Sequence, residues 1–203
     1  MVGHVTKGSA ISDTHERLEE MVLSKGVRFE TERGEVLELL NVHSMIRYPY
    51  IRGKHPYWHG QKLEDYIDQF FKLNDRGFVY TYGDRILDFR AEAPNGVNGV
   101  DQLSYVYEKL ARNMNTRRAV MVIYNPIMDN GIEDVPCLQH IQYQIRNRTL
   151  LTTILYRSHD IDAYYPNLCG LAEISKWLAE QLGCFVGEMH VYSNNLHKYV
   201  TNL

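Results

Sequence analysis

The sequence predicts an α+β fold in a single domain. Apolar residues recur with period two in some stretches and near 3.6 in others, so both strands and helices are encoded. Strand pairs sit beside helices without the regular alternation of a doubly wound sheet. The 203 residues suit one large domain, 1–203, and a 44% hydrophobic share supplies a full core. No internal repeat or low-complexity tract interrupts the chain.

In chain order, "SDTHERLEEMVLSKG" reads as a helix. Asp13 is placed to cap it, Glu16 completes a capping-box spacing, and Gly26 stands where a C-terminal glycine belongs. "VRFETERGEVLELLNVHSMIRY" reads as two strands around an Arg-Gly turn, and "PYIRGKHPYW" as a punctuated loop. "KLEDYIDQFFKL" and "VDQLSYVYEKLARNM" both carry helical spacing. "AVMVIYN" is apolar throughout, which predicts a central strand. "LQHIQYQIRNRTLLTTILYRS" predicts a hairpin turning at Arg146-Asn147-Arg148. "LCGLAEISKWLAEQLG" follows as a largely apolar helix, and "VGEMHVYSN" as the last strand.

Composition narrows the function classes. A formal net charge of -3 gives no broad basic field for nucleic acid. No apolar run is long enough to span a bilayer, and the first twenty residues lack a signal-peptide core. Three cysteines without CxxC spacing argue for a reduced, cytoplasmic setting and against a disulfide framework or zinc ribbon.

Several residues could carry chemistry, and each also has a plain reading. Cys137, after a proline and before an alternating run, could be a small buried hydrophobe or a nucleophile. Arg157 ends the strand after the hairpin, so its charge can lie near that thiol; it could equally be a surface arginine. Arg117 and Arg118 could solvate a surface or clamp a phosphate. His190 and Tyr192 share one face of a strand and could bind a sugar hydroxyl or pack in the core. Asn167 opens the last helix, where capping is the default.

The order of these motifs carries more than any one of them. "RR" at 117–118, "PC" at 136–137, "RSHD" at 157–160, "PN" at 166–167, "LAEQLG" at 178–183 and "MHVYSN" at 189–194 together resemble the thymidylate synthase family, within a superfamily that includes pyrimidine nucleotide hydroxymethylases. The likeness runs over about residues 77–197, and "GFVYTYGDR" looks most like the compact archaeal-type members. It implies a mixed sheet with flanking helices, paired across a homodimer interface. It also implies Cys137 as catalytic thiol and Tyr82 as an active-site tyrosine. Arg157 and Ser158 would hold the nucleotide phosphate, with Arg117 and Arg118 reaching in from the partner subunit. Asn167 would read the uracil edge, His190 with Tyr192 the 3′-hydroxyl, and Asp160 the pterin ring. Glu64 is the candidate general base, with Asp68 as its rival.

The implied reaction methylates dUMP to dTMP through a covalent Cys–C6 adduct. Its one-carbon co-substrate would be 5,10-methylenetetrahydrofolate or methylene-tetrahydromethanopterin, with no metal, and Arg157 would favour the thiolate. Interception by water would give a hydroxymethyl nucleotide instead, from dUMP, dCMP or CMP. Two other classes stand beside it. One is a non-catalytic nucleotide- or RNA-binding relative; the other is a cysteine hydrolase using His140 or His159 as base. The sequence departs from the family in "YYPN", one residue short, in Leu138 after the thiol, and in lacking a tryptophan-rich segment, for which Trp58 is the nearby candidate.

Overall fold

The computed structural model describes residues 3–73, 79–89 and 99–202. Gly77 and Phe78 of the "GFVYTYGDR" run lie outside the described residues. Strand β1 (His4–Gly8) leads to helix α1 (Ile11–Lys25), then β2 (Val27–Thr31) and β3 (Gly34–Ile46). Helices α2 (Gly60–Asp68), α3 (Tyr82–Leu87) and α4 (Gln102–Arg112) precede β4 (Ala119–Val122) and the short α5 (Pro126–Asp129). The hairpin β5 (Leu138–Arg146) and β6 (Thr149–Tyr156) follows, then β7 (His159–Asp160), α6 (Ile161–Gln181) and β8 (Phe185–Tyr199). The architecture is the expected α+β one: a mixed eight-stranded sheet in the order β1-β3-β8-β6-β5-β4, with β2 on β3 and β7 on β8.

Most elements follow their sequence signals, with informative shifts. Helix α1 begins at Ile11, so Asp13 sits inside the first turn and not at the cap. Its carboxylate still satisfies the helix start, accepting from the Ser9 and Ala10 N–H groups at 2.9 and 2.6 Å. The β5–β6 turn falls where predicted, with Asn147 and Arg148 at φ 50° and 58°. Strand β4 lies at the sheet edge and not at its centre. Its apolar character is shared between a core face, Ala119 and Met121, and an outward Val122 that is 44% exposed.

Helix α6 starts seven residues before the apolar stretch that announced it. Asp160 caps it, Oδ1 accepting from Asp162 N–H at 3.0 Å, so Asn167 lies in the helix interior and does not open it. Pro166, also inside, cannot donate to the carbonyl of Asp162. Trp58 Nε1 donates to that carbonyl instead, at 3.2 Å. Gly170 allows the next contact, since a Cβ there would sit 2.4 Å from the Phe70 ring. Both contacts dock the loop before α2, and the residues after it, on α6.

Helices α1 and α6 pack on β3 and β8, while α4 packs on β4. The opposite sheet face is different. Val5, His43, Tyr192, Leu155, His140 and Val122 pair laterally in one row across six of the eight strands, and none is buried. Asn41, at φ 57°, interrupts β3 between the pairs Val42↔Ser193 and Leu40↔Asn195. The burial alternation breaks there on both strands: in β8 it runs Met189, Val191, Ser193 and then gives way to the consecutive buried residues Leu196, His197 and Lys198.

Candidate active site

Cys137 immediately precedes β5, and Arg157 immediately follows β6. The Arg157 N–H donates to the Cys137 carbonyl at 2.9 Å, closing the ladder below Leu138↔Tyr156. The thiol and this arginine are therefore fixed side by side by hairpin geometry. The guanidinium folds back, Nε donating to the Pro136 carbonyl at 3.1 Å and Nη2 to that of Val135 at 2.5 Å.

Both residues line a cleft of about 770 Å³, together with Ser158, Asp160, Arg33 and Glu38. The end of β8 adds Asn195, His197 and Tyr199. Arg33, from the β2–β3 turn, pairs with Asp134 of the segment before Cys137. His197 and Tyr199 stand edge to face, ring centroids 5.3 Å apart.

Burial governs the electrostatics here. It pushes the Cys137 thiol above its ordinary value of 9.0; Arg157 and Arg33 pull it down, while Asp160 and Asp134 push it further up. The expected influence of Arg157 is present but outweighed. Burial likewise raises Asp160, against the pull of its helix-cap hydrogen bond, and lowers His197. Burial, with the nearby Cys137 adding to it, pushes the Tyr80 hydroxyl up to about 12.

A testable consequence concerns the free thiol. A raised value keeps it protonated at neutral pH, so iodoacetamide labelling of Cys137 should climb only as pH rises past 9.0. Arg157→Ala removes a lowering charge and should slow labelling further at each pH. Peptide mapping separates Cys137 from Cys184, and faster labelling in the variant would contradict this field.

The other nominated residues divide by place. Tyr82 is half-buried against the core at the start of α3, where desolvation raises its hydroxyl well above the ordinary value. Asn167 is 4% exposed, its Oδ1 accepting from the Tyr66 hydroxyl at 2.7 Å. Glu64 and Asp68 lie on the exposed side of α2. Glu64 pairs with Arg52 at 2.6 Å, and Arg52 also binds Glu173 of α6. That ties the loop before α2 to both helices, away from the cleft. Arg117 and Arg118 are exposed just before edge strand β4 and do not line this chain's cleft.

His190 and Tyr192 lie on the open sheet face. His190 Nδ1 is 3.1 Å from His43 Nε2, and Tyr192 stacks on His43 at 4.4 Å. The strand interruption at Asn41 separates them from the cleft, where His197 and Tyr199 stand with the same His-x-Tyr spacing seven residues later. That repeated spacing in "HVYSNNLHKY" was the available signal; Arg33 was visible only as part of a turn. Neither hydrolase candidate sits beside Cys137 in the cleft. His140 is on the open face, and His159 is buried, stacked at 3.7 Å on Tyr156 and lowered to about 3.

A thiol held against arginine in a polar cleft suits addition to an electron-poor ring bearing an anionic group. The thymidylate synthase family model matches residues 14–203. The chain belongs to the thymidylate synthase family. It is 35% identical over 205 residues to a protein named "Putative thymidylate synthase" from Methanothermobacter marburgensis, covering 92% of this chain and 88% of that protein. A protein of the same name from Methanothermobacter thermautotrophicus is 36% identical over 211 residues, covering 95% and 91%. The "Deoxyuridylate hydroxymethyltransferase" of Bacillus phage SP01 is 35% identical over 147 residues, covering 68% of this chain and 38% of that protein. Membership of the thymidylate synthase family makes the chain a pyrimidine-modifying enzyme with a folate-type co-substrate. Among the described residues no His, Cys, Asp and Glu cluster is arranged for a metal, and no helix is long and apolar enough to cross a membrane.

Proposed function

We propose that this enzyme methylates C5 of 2′-deoxyuridylate, with Cys137 as the covalent catalyst. The observation that supports this most is the pairing of Cys137 with Arg157 in a cleft that also holds Arg33 and a His-x-Tyr pair. The sulfur lone pair forms a bond to C6, and the C5–C6 π pair moves towards O4 as an enolate. C5 then bonds to the one-carbon unit. Loss of the C5 proton with cleavage of the bond from that carbon to the pterin nitrogen leaves an exocyclic methylene on C5; a hydride added to it re-forms the C5–C6 double bond as the S–C6 electron pair returns to Cys137 as thiolate.

Arg157, Ser158 and Arg33 bind the phosphate, and His197 with Tyr199 take the sugar hydroxyl. Asn167, steered by Tyr66, supplies the amide that distinguishes uracil from cytosine. The methylene pterin supplies the one-carbon unit and, for a methyl product, the hydride. The residues present suit such a molecule: Asp160, with raised proton affinity, lines the cleft. Beyond the first turn of α6, a cavity of about 600 Å³ offers the rings of His55, Tyr57 and Trp58 beside Lys54 and Lys62. Flat rings and cations fit a pterin with a carboxylate tail.

A second copy completes the site. The open row from Val5 to Val122 is wide, and its exposed Val5, Tyr192 and Val122 suit an isologous contact. Arg117 and Arg118 would then reach the partner's cleft.

Incubation with 5-fluoro-2′-deoxyuridylate and methylenetetrahydrofolate or methylene-tetrahydromethanopterin should give a covalent ternary adduct on the Cys137 peptide by mass spectrometry. Absence of an adduct with both pterins would overturn the covalent mechanism. With dUMP itself, a hydroxymethyl product would replace the methyl assignment.

A further inference from the structure

The cleft holds a chain of contacts that none of these roles uses. Glu38 of β3 lies directly opposite His197 of β8 in the antiparallel ladder. Asn195, two residues before His197 on the same strand, joins them. Its Nδ2 donates to Glu38 Oε2, and its Oδ1 lies 2.9 Å from His197 Nδ1. Ser158 Oγ is 3.5 Å from that same ring nitrogen, at the far limit of a hydrogen bond.

The donor and acceptor rules fix this chain's direction. A carboxylate only accepts, so the Asn195 NH₂ must face Glu38. The amide oxygen is thereby turned towards the ring. An oxygen acceptor against Nδ1 requires a proton on Nδ1, and in a neutral imidazole that leaves Nε2 bare.

We propose that Glu38, acting through Asn195, is a positioning residue that holds His197 in its Nδ1–H tautomer. Nε2 then presents a lone pair that accepts a sugar O–H, while the Tyr199 hydroxyl can donate to the oxygen of the same group. Burial lowers the affinity of His197 for a second proton and Arg157 adds to this, while Asp160, Glu38 and Asp162 oppose it. The neutral ring is the form that matters. The tautomer assignment stands on contacts within this chain alone; only the sugar contact rests on the nucleotide reading above.

The test uses the full chain labelled with ¹⁵N-histidine. Long-range proton–nitrogen NMR distinguishes a protonated ring nitrogen from a bare one, and loss of a signal in His197→Gln assigns His197 among the nine histidines. Wild type should show protonated Nδ1 and bare Nε2. In Glu38→Gln the amide at 195 is free to turn, and the signals should move towards the Nε2–H form. KM for dUMP should rise about three- to tenfold, with kcat changing less. The double variant Glu38→Gln, Asn195→Asp moves the carboxylate next to Nδ1, with an amide donor behind it. It should restore the Nδ1–H form and most of the affinity, a rescue that a packing role does not produce.

Bare Nδ1 in wild type would overturn the proposal, and so would an Nδ1–H form unchanged in Glu38→Gln. The wild-type spectrum decides even where a variant does not fold. A tautomer change that weakens 2′,3′-dideoxyuridylate as much as dUMP would support the relay and overturn the sugar contact.

Discussion

Cys137→Ser should bind nucleotide and lose turnover by about three orders of magnitude or more. A serine alkoxide is far less available than a thiolate, even one whose parent thiol is raised by burial. Nucleotide affinity should change little, because the phosphate contacts proposed above are to Arg157, Ser158 and Arg33 and not to the sulfur. Cys169→Ser and Cys184→Ala should retain turnover. Cys169 is fully buried in α6 and Cys184 follows it, both away from the cleft. Steady-state kinetics on purified variants, with nucleotide binding by calorimetry, checks both halves. Near-normal turnover by Cys137→Ala would end the covalent mechanism.

Mixing two inactive proteins should produce an active one. Cys137→Ala lacks the thiol but keeps Arg118; Arg118→Ala keeps the thiol but lends its partner no arginine at that position. A heterodimer contains one site with an intact thiol and an intact borrowed arginine. Random exchange of equal amounts should therefore restore about a quarter of wild-type specific activity. No rescue after subunit exchange verified by native mass spectrometry would exclude the shared site. A monomer in sedimentation at assay concentration would exclude the dimer itself.

The fold was more legible in the sequence than the cleft was. The β5–β6 hairpin announced itself by alternation and by a short turn, and it alone forces Cys137 beside Arg157. Helix α6 was readable from Leu168 onwards, but its first two turns contain Pro166 and polar groups. They are helical because Asp160 caps the start and Trp58 satisfies the carbonyl that Pro166 strands. That partner is more than a hundred residues away in the chain. The last strand was readable only to Asn194, because "NLHKY" carries no two-residue apolar rhythm. It extends to Tyr199 since β3 supplies the pairing as far as Val36. The cleft-facing His-x-Tyr pair lay in that unread portion. Arg33 was hidden for a related reason: a turn residue shows its chemical surroundings only once the strands it joins are placed.

The interruption at Asn41 gives β8 two employments. Before it, His190 and Tyr192 belong to the open face proposed to meet a second copy; after it, His197 and Tyr199 belong to the cleft. The same strand pair, β3 with β8, carries both in one register on either side of Asn41. On that proposal, association and nucleotide binding would act on opposite ends of a single stiff lever. If nucleotide favours the dimer by some factor, the dimer must favour nucleotide by the same factor, because the two free energies form a closed cycle. Diluting the enzyme would then weaken its grip on substrate, and saturating it would hold the two copies together.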